Sequence, residues 1–134
     1  TLVDRGGDLS RAAELLQRAV ALKPNDPFIL DSYGWLLYRQ GKRQAAMKSL
    51  EKAVALKSEE GVIAEHLADV YASLNMPQKA LATYERARRA GGDKEFVARV
   101  EAKMENVERA LADLSPAKPA KAAQRIPASS NLKP

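Results

Sequence analysis

The amino-acid sequence predicts an all-α fold of repeated helical hairpins, ended by a closing helix. The first observation is an internal repeat: RAVALK at Arg18–Lys23 returns as KAVALK at Lys52–Lys57, 34 residues later. The second is that apolar residues in each unit recur three or four residues apart, the spacing of one helix face. The third is that proline and glycine separate these segments. A fixed period of this length is typical of stacked helical hairpins.

The register extends over three units without an insertion. The 34-residue offset relates Gly7 to Gly41 and Asn75, Ala12 to Ala46 and Ala80, Leu16 to Leu50 and Tyr84, and Ala19 to Ala53 and Ala87. The repeat region is therefore 1–92, with a partial unit at 1–26 and complete units at 27–60 and 61–92. Thr1–Gly7 is the end of a leading helix in this interpretation, so we expect the full protein to continue upstream.

Helix-breaking proline and glycine residues separate the predicted helices. We predict helices near 9–22, 27–40, 43–56, 61–74 and 77–90, paired as antiparallel hairpins. The breakers are Pro24, Pro27, Gly41, Pro77 and the pairs Gly6-Gly7 and Gly91-Gly92, which we place at helix ends.

A further helix is predicted at 93–114, with Asp93 as its cap. Its apolar stripe is Val97, Val100, Met104, Val107, Leu111 and Leu114. We expect this helix to lie on the last hairpin and close the solenoid; self-association through 97–114 is the alternative. Residues 115–134 are rich in Pro, Ala, Ser and Lys, and we predict a disordered basic tail.

Composition excludes several function classes. The net charge of +5 includes four basic residues and no acid in 115–134, so the rest of the chain is nearly neutral and no nucleic-acid partner is expected. No apolar run approaches the roughly 20 residues that span a bilayer. With no cysteine and a single histidine, we expect no enzyme, no cofactor and no metal site. His66 has no orienting partner in the sequence, which predicts a solvated or helix-packing role.

The 34-residue helix-turn-helix period resembles the tetratricopeptide repeat family. That family favours small residues at three places of each unit, and here these places hold Gly34, Ala46 and Ala53, then Ala68, Ala80 and Ala87. Small side chains let two helices cross closely. The resemblance implies a right-handed superhelical solenoid that binds a protein or peptide partner in its concave groove, as a scaffold or adaptor.

A narrower resemblance lies in the stretch LDSYGWLLYRQG, residues 30–41. It is similar to carboxy-terminal repeats of periplasm-facing outer-membrane lipoproteins of Gram-negative bacteria. The resemblance implies a periplasmic location, a membrane anchor outside this sequence and, for some members, an adaptor role for a carboxy-terminal processing protease.

The candidate groove lies on the leading-helix face that cannot meet the second helix of the same hairpin. In the middle unit its residues are Phe28, Asp31, Trp35, Tyr38 and Arg39, and one unit later Val62, Glu65 and Asp69. This predicts a groove that changes from aromatic to acidic, suited to an extended or helical peptide. Two alternatives remain: the aromatic residues pack against an upstream helix, or the chain is a structural self-association module that uses the closing helix or the first hairpin.

Overall fold

The computed structural model of the protein describes residues 2–57 and 59–114, so the predicted basic tail lies outside the described residues. Regular structure in the described part is entirely helical. The helices are α1 (Leu2–Leu22), α2 (Pro27–Arg39), α3 (Arg43–Leu56), α4 (Gly61–Ser73), α5 (Pro77–Ala90) and α6 (Lys94–Leu114). The helices predicted from 27 to 90 are confirmed to within one residue at each end.

Local chemistry explains where these helices begin. The Asp26 carboxylate accepts hydrogen bonds from the backbone N–H groups of Phe28 at 2.9 Å and Ile29 at 3.1 Å, and so caps α2. Pro27 and Pro77 occupy the first turns of α2 and α5, where a missing N–H costs nothing. The Asp93 carboxylate accepts from the Phe96 N–H at 2.8 Å, which confirms the predicted cap of α6.

The helices pair as the repeat predicts. α2 packs on α3 and α4 packs on α5; we call α2 and α4 the leading helices and α3 and α5 the second helices of their units. The small positions lie at the helix crossings: Ala46, Ala53, Ala68, Ala80 and Ala87 are all 0% exposed. One core runs through both hairpins and onto α6.

One predicted turn is wrong. Gly6 and Gly7 lie inside α1, which is a single helix from Leu2 to Leu22. The equivalent positions of the next units, Gly41 and Asn75, do adopt left-handed φ values of 85° and 61°. In those units the turn lets a leading helix fold back onto a second helix, whereas the backbone around Gly7 is helical from Leu2 to Leu22 and its hydrogen-bond ladder runs through Gly7.

The closing helix is confirmed, and the 34-residue register continues in it beyond the predicted repeat region 1–92. α6 packs on α5, and its Phe96 and Val100 are 6% and 0% exposed. α6 also contacts α4 through side chains that stand 34 residues apart, Glu65 with Arg99 and Asp69 with Lys103. α6 therefore occupies the place of a third leading helix.

Candidate partner-binding groove

The predicted face of α2 is organised by a contact with α4. The indole of Trp35 stacks on the imidazole of His66, with ring centres 4.3 Å apart and an interplanar angle of 24°. Trp35 also stacks on Tyr38, with ring centres 5.0 Å apart and an interplanar angle of 27°. The Nδ1 atom of His66 lies 2.7 Å from the Asp31 carboxylate, and because a carboxylate only accepts, the imidazole donates this hydrogen bond. These contacts hold the aromatic side chains in fixed orientations.

This arrangement borders a cleft of about 250 Å³ between α1 and α2, which we call the α1–α2 cleft. Three predicted site residues line it: Asp31, Trp35 and Arg39. The rest of its wall is Ala12 and Leu16 of α1, Ser32 and Leu36 of α2, and His66 of α4. The cleft combines an apolar floor with an exposed guanidinium and a carboxylate, so it offers both contact area and charge to a partner.

Phe28 and Val62 lie away from this cleft. They begin α2 and α4 at equivalent places and are 52% and 44% exposed. Phe28 borders a separate, open depression with Pro24, Leu56 and Lys57. The predicted groove residues therefore do not form one continuous surface.

Glu65 and Asp69 are covered by α6. Arg99 donates to both Glu65 carboxylate oxygens, at 2.7 and 2.9 Å, and the Lys103 ammonium joins Glu65 at 2.8 Å to Asp69 at 3.1 Å. Glu65 is only 3% exposed. The sequence predicts that the groove becomes acidic at Glu65 and Asp69, but both carboxylates are paired with cations of the same chain. The 34-residue repeat explains this, because it places Arg99 one unit after Glu65 and Lys103 one unit after Asp69.

Burial and ion pairing act in opposite directions on Glu65. Removal from water raises the pKa of its carboxyl group, but the hydrogen bonds and positive charges of Arg99 and Lys103 outweigh this and hold the pKa at about 2. Beside it, the Tyr84 hydroxyl donates a short hydrogen bond to Asp69. Burial and the neighbouring carboxylate raise the pKa of Tyr84 above its usual range. This cluster therefore keeps a fixed charge pattern at neutral pH.

Comparisons with known proteins agree with the repeat. The tetratricopeptide repeat model matches residues 29–60. A tetratricopeptide-repeat-containing protein of Pseudomonas aeruginosa is 48% identical over 54 residues, which make up 40% of this chain and 9% of that relative. Residues 29–60 are therefore similar in sequence to a tetratricopeptide repeat. The described residues include no helix with a hydrophobic stretch that could span a bilayer.

Solved structures share the fold of this chain. PcrH of Pseudomonas aeruginosa, in complex with the chaperone binding region of PopD, has a TM-score of 0.72 at 19% identity, over 78% of this chain and 82% of that one. The translocator chaperone SycD of Yersinia enterocolitica has 0.72 at 18% identity, over 78% and 74%. The first repeat domain of Spaghetti (RPAP3), bound to an HSP90 peptide, has 0.72 at 18%, over 81% and 83%.

Sequence reasoning missed three residues of this region. His66 has an orienting partner after all, Asp31, which lies 35 residues earlier and is brought close only by the stacking of α4 on α2. Arg99 and Lys103 stand one period after Glu65 and Asp69. Extending the 34-residue offset past Gly92 is the signal that finds both cations. The described residues hold no group of three metal-ligating side chains.

Proposed function

We propose that this chain is a non-catalytic adaptor that binds a protein partner beside the Trp35–His66 stack. The observation that carries the proposal is that stack, held by Asp31 at the edge of the α1–α2 cleft. Aromatic side chains supply large contact areas, and side chains that are already fixed lose little entropy on binding. Structural neighbours captured with PopD, with a YopD peptide and with an HSP90 peptide support a protein partner.

The charged residues at the cleft give this surface specificity. Arg39 is exposed beside Trp35, so its guanidinium is free to meet a carboxylate of the partner. Asp31 already accepts from His66, and its remaining lone pairs can accept an N–H from a partner backbone or a basic side chain. The partner surface we expect is therefore apolar at its centre, with one acidic group near Arg39.

Affinity capture from a bacterial envelope extract tests the proposal. The baits are the unchanged chain, Trp35→Ala, Asp31→Lys and the matched control Phe28→Ala, which removes an exposed aromatic from the same helix outside the cleft. We expect Trp35→Ala and Asp31→Lys to lose proteins that Phe28→Ala retains. The helical content of all variants, measured by circular dichroism, should be unchanged. Equal recovery by all baits would place the binding surface elsewhere, and melting of Trp35→Ala would make that residue structural.

A finer assignment follows from the sequence resemblance: a periplasmic adaptor of a carboxy-terminal processing protease, anchored at the outer membrane by a segment outside these residues. Support comes from the LDSYGWLLYRQG stretch. Cell fractionation of the full-length protein tests the location. Adding the chain to purified protease tests the role, since an adaptor raises cleavage of a protein substrate and Trp35→Ala cancels the rise.

Self-association through 97–114 stays the second candidate function. Phe96 and Val100 are buried on the last hairpin, and Val97, Met104 and Val107 are partly buried against the same core. The most exposed residue of the stripe is Leu114, at 74%, and with Leu111 it borders an apolar cleft of about 210 Å³. We infer that a dimer of this kind would use the last turn of α6.

A further inference from the structure

α6 is a leading helix whose outer face has no second helix on it among the described residues. In α2 the corresponding face is covered by α3, so closely that a Cβ atom at Gly34 would stand 2.7 Å from Leu50 Cγ. The residues of α2 at these places are buried or packed against the core: Leu30, Tyr33, Gly34 and Leu37. Two periods later the same places in α6 hold exposed residues: Ala98, Glu101, Ala102 and Glu105.

An open groove of about 600 Å³ follows this outer face, between α5 and α6. Part of its α6 lining is apolar and consists of Ala98, Ala102 and Met104. Three exposed carboxylates stand along the same lining, and we call them the groove acids: Glu101, Glu105 and Glu108. The groove therefore presents small apolar side chains beside a row of negative charge.

The groove acids form no hydrogen bond or ion pair with the described residues. The cations around them are engaged elsewhere. Arg88 lines the groove but donates to Glu85 at 3.0 Å, and Arg109 donates to the Asn106 side chain at 2.7 Å. Lys103 is held on the inner side of α6 by the acids of α4. Because like charges three or four residues apart on a helix repel each other, a cation bound in the groove would relieve this repulsion.

The segment that follows α6 is placed by chain order to meet this face. In both complete units the residues after the leading helix fold back onto it, so that α3 lies on α2 and α5 lies on α4. The residues after α6 are the basic tail, 115–134, whose charged residues are all cations: Lys118, Lys121, Arg125 and Lys133. Proline recurs in this segment and disfavours a second helix. Contact with the outer face would therefore rest on charge rather than on helix packing.

We propose that the basic tail folds back along the α5–α6 groove of its own chain and pairs with the groove acids. The spacing of the charges fits. Glu101 and Glu108 lie about 10 Å apart along the axis of α6. Lys118 and Lys121 are also about 10 Å apart in an extended chain. From Leu114 to Lys118 the chain spans up to about 13 Å, which is enough to turn back to Glu108, about 9 Å before the end of α6.

Attachment to α6 favours the chain's own tail over a separate basic partner. A tethered segment acts at an effective concentration in the millimolar range, whereas a single exposed ion pair is weak. Several weak pairs then act together, and the contact is reversible and sensitive to salt. In this arrangement the tail occupies the place that a second helix occupies in the complete units.

Paramagnetic relaxation in the whole, ¹⁵N-labelled chain tests the proposal. The sequence has no cysteine, so Ala123→Cys gives a single site for a nitroxide spin label. We expect the backbone amides of 98–105 to lose at least half of their NMR intensity relative to the chain with a reduced label. The groove variant, which combines Glu101→Gln, Glu105→Gln and Glu108→Gln, should recover most of that intensity. Amides of 110–114 stay attenuated in both chains, because they lie beside the point of attachment.

The matched control makes the same change of charge elsewhere. Asp8→Asn, Glu14→Gln and Glu59→Gln together remove three exposed acids that do not line the groove. The loss of intensity at 98–105 should persist in this variant. Sodium chloride at about 1 M, which screens charges beyond about 3 Å, should restore the intensity in the unchanged and control chains.

Four results would overturn the inference. The first is undiminished intensity at 98–105 in the spin-labelled chain, and the second is a loss that the groove variant or high salt leaves in place. The third is recovery in the control variant as well, which would make the contact a matter of net charge alone. The fourth is a loss at 98–105 when a spin-labelled chain without ¹⁵N is mixed with a ¹⁵N-labelled chain without the spin label, because this would assign the contact to a second copy. None of these results depends on partner capture beside Trp35, so the proposed function is tested separately.

Discussion

Gly34 sets how closely the two helices of the middle unit approach. No side chain fits at this position, because a Cβ atom would lie 2.7 Å from Leu50 Cγ. Leu50 is fully buried and Ala46 contributes a backbone carbonyl at 3.3 Å, so neither can move without disturbing the rest of the core. One glycine therefore fixes the packing distance on which the burial of both helices depends.

Gly34→Leu should destabilise the fold by about 2 kcal/mol, because overpacking a dense helix crossing forces side chains off their preferred rotamers. Urea unfolding followed by circular dichroism at 222 nm measures this loss. A variant as stable as the unchanged chain would show that α2 and α3 can separate without cost.

Gly7→Ala should stabilise the fold, in contrast to Gly34→Leu. Gly7 is helical and exposed, and a Cβ atom added there would meet nothing within 4 Å, so alanine adds helix propensity worth about 0.5–1 kcal/mol. The same urea experiment measures the gain. Destabilisation would mean that Gly7 adopts the left-handed turn of Gly41, as the repeat register alone predicts.

Glu65 links stability to pH through its ion pairs. Its pKa in the folded state is about 2, below the usual 4.5, so the folded form binds its proton less readily than the unfolded form. The stabilisation is therefore complete above about pH 4.5 and is lost as the pH falls towards 2. Glu65→Gln leaves Arg99 and Lys103 without their partner and should cost about 3 kcal/mol at pH 7.

The stability difference between Glu65→Gln and the unchanged chain should shrink steadily between pH 4.5 and pH 2, as measured by urea unfolding at several pH values. Glu59→Gln serves as the control, because the Lys57–Glu59 pair is exposed and its loss should not change the unfolding midpoint measurably. A difference that stays constant down to pH 2 would contradict the role assigned to the Glu65 carboxylate.

At the scale of elements, α6 ends the stack because its two sides differ. The inner side places Phe96 and Val100 on the last hairpin and Arg99 and Lys103 on the acids of α4. The outer side carries Glu101 and Glu105 at the places where α2 and α4 have apolar residues. A polar outer face prevents a further unit from stacking and keeps the end of the solenoid in water.

Val100→Glu should unfold α6 from the hairpin, because it places a carboxylate at a position that is 0% exposed. Leu114→Glu changes an exposed residue of the same stripe and should leave the unfolding midpoint unchanged. Light scattering on Leu114→Glu also tests self-association, since any dimer that depends on the last turn of α6 should become monomeric. An unchanged dimer would assign the contact to another surface.

The sequence predicted the helices well where the register and local breakers agree. Pro27, Pro77 and Asp93 act through neighbours within three residues, so these helix starts could be predicted directly. The candidate site was harder to predict from the sequence, because its contacts join residues that lie far apart in the chain. Trp35 and Asp31 were found from their face on α2, but their contact with His66 needs the packing of α4 on α2.

At the scale of the whole molecule, the helices form a linear stack in which contacts are made mainly with neighbours. α1 contacts α2, α3 contacts both α2 and α4, and α5 contacts α4 and α6. The central helices are therefore covered on several sides, whereas among the described residues α1 packs mainly on α2 and its apolar face is partly exposed. In such a stack, stability is a sum of local units and interfaces, so it varies along the chain.

Hydrogen exchange should therefore be graded along the chain. We expect the amides of α1 to exchange first, because α1 can open without exposing Leu50, Ile63 or Val70, which are at most 2% exposed in the core. The amides of α4 should exchange last, since α3, α5, α2 and α6 all contact that helix. Mass-spectrometric exchange on the unchanged chain measures the order, and protection of α1 equal to that of α4 would contradict this gradient.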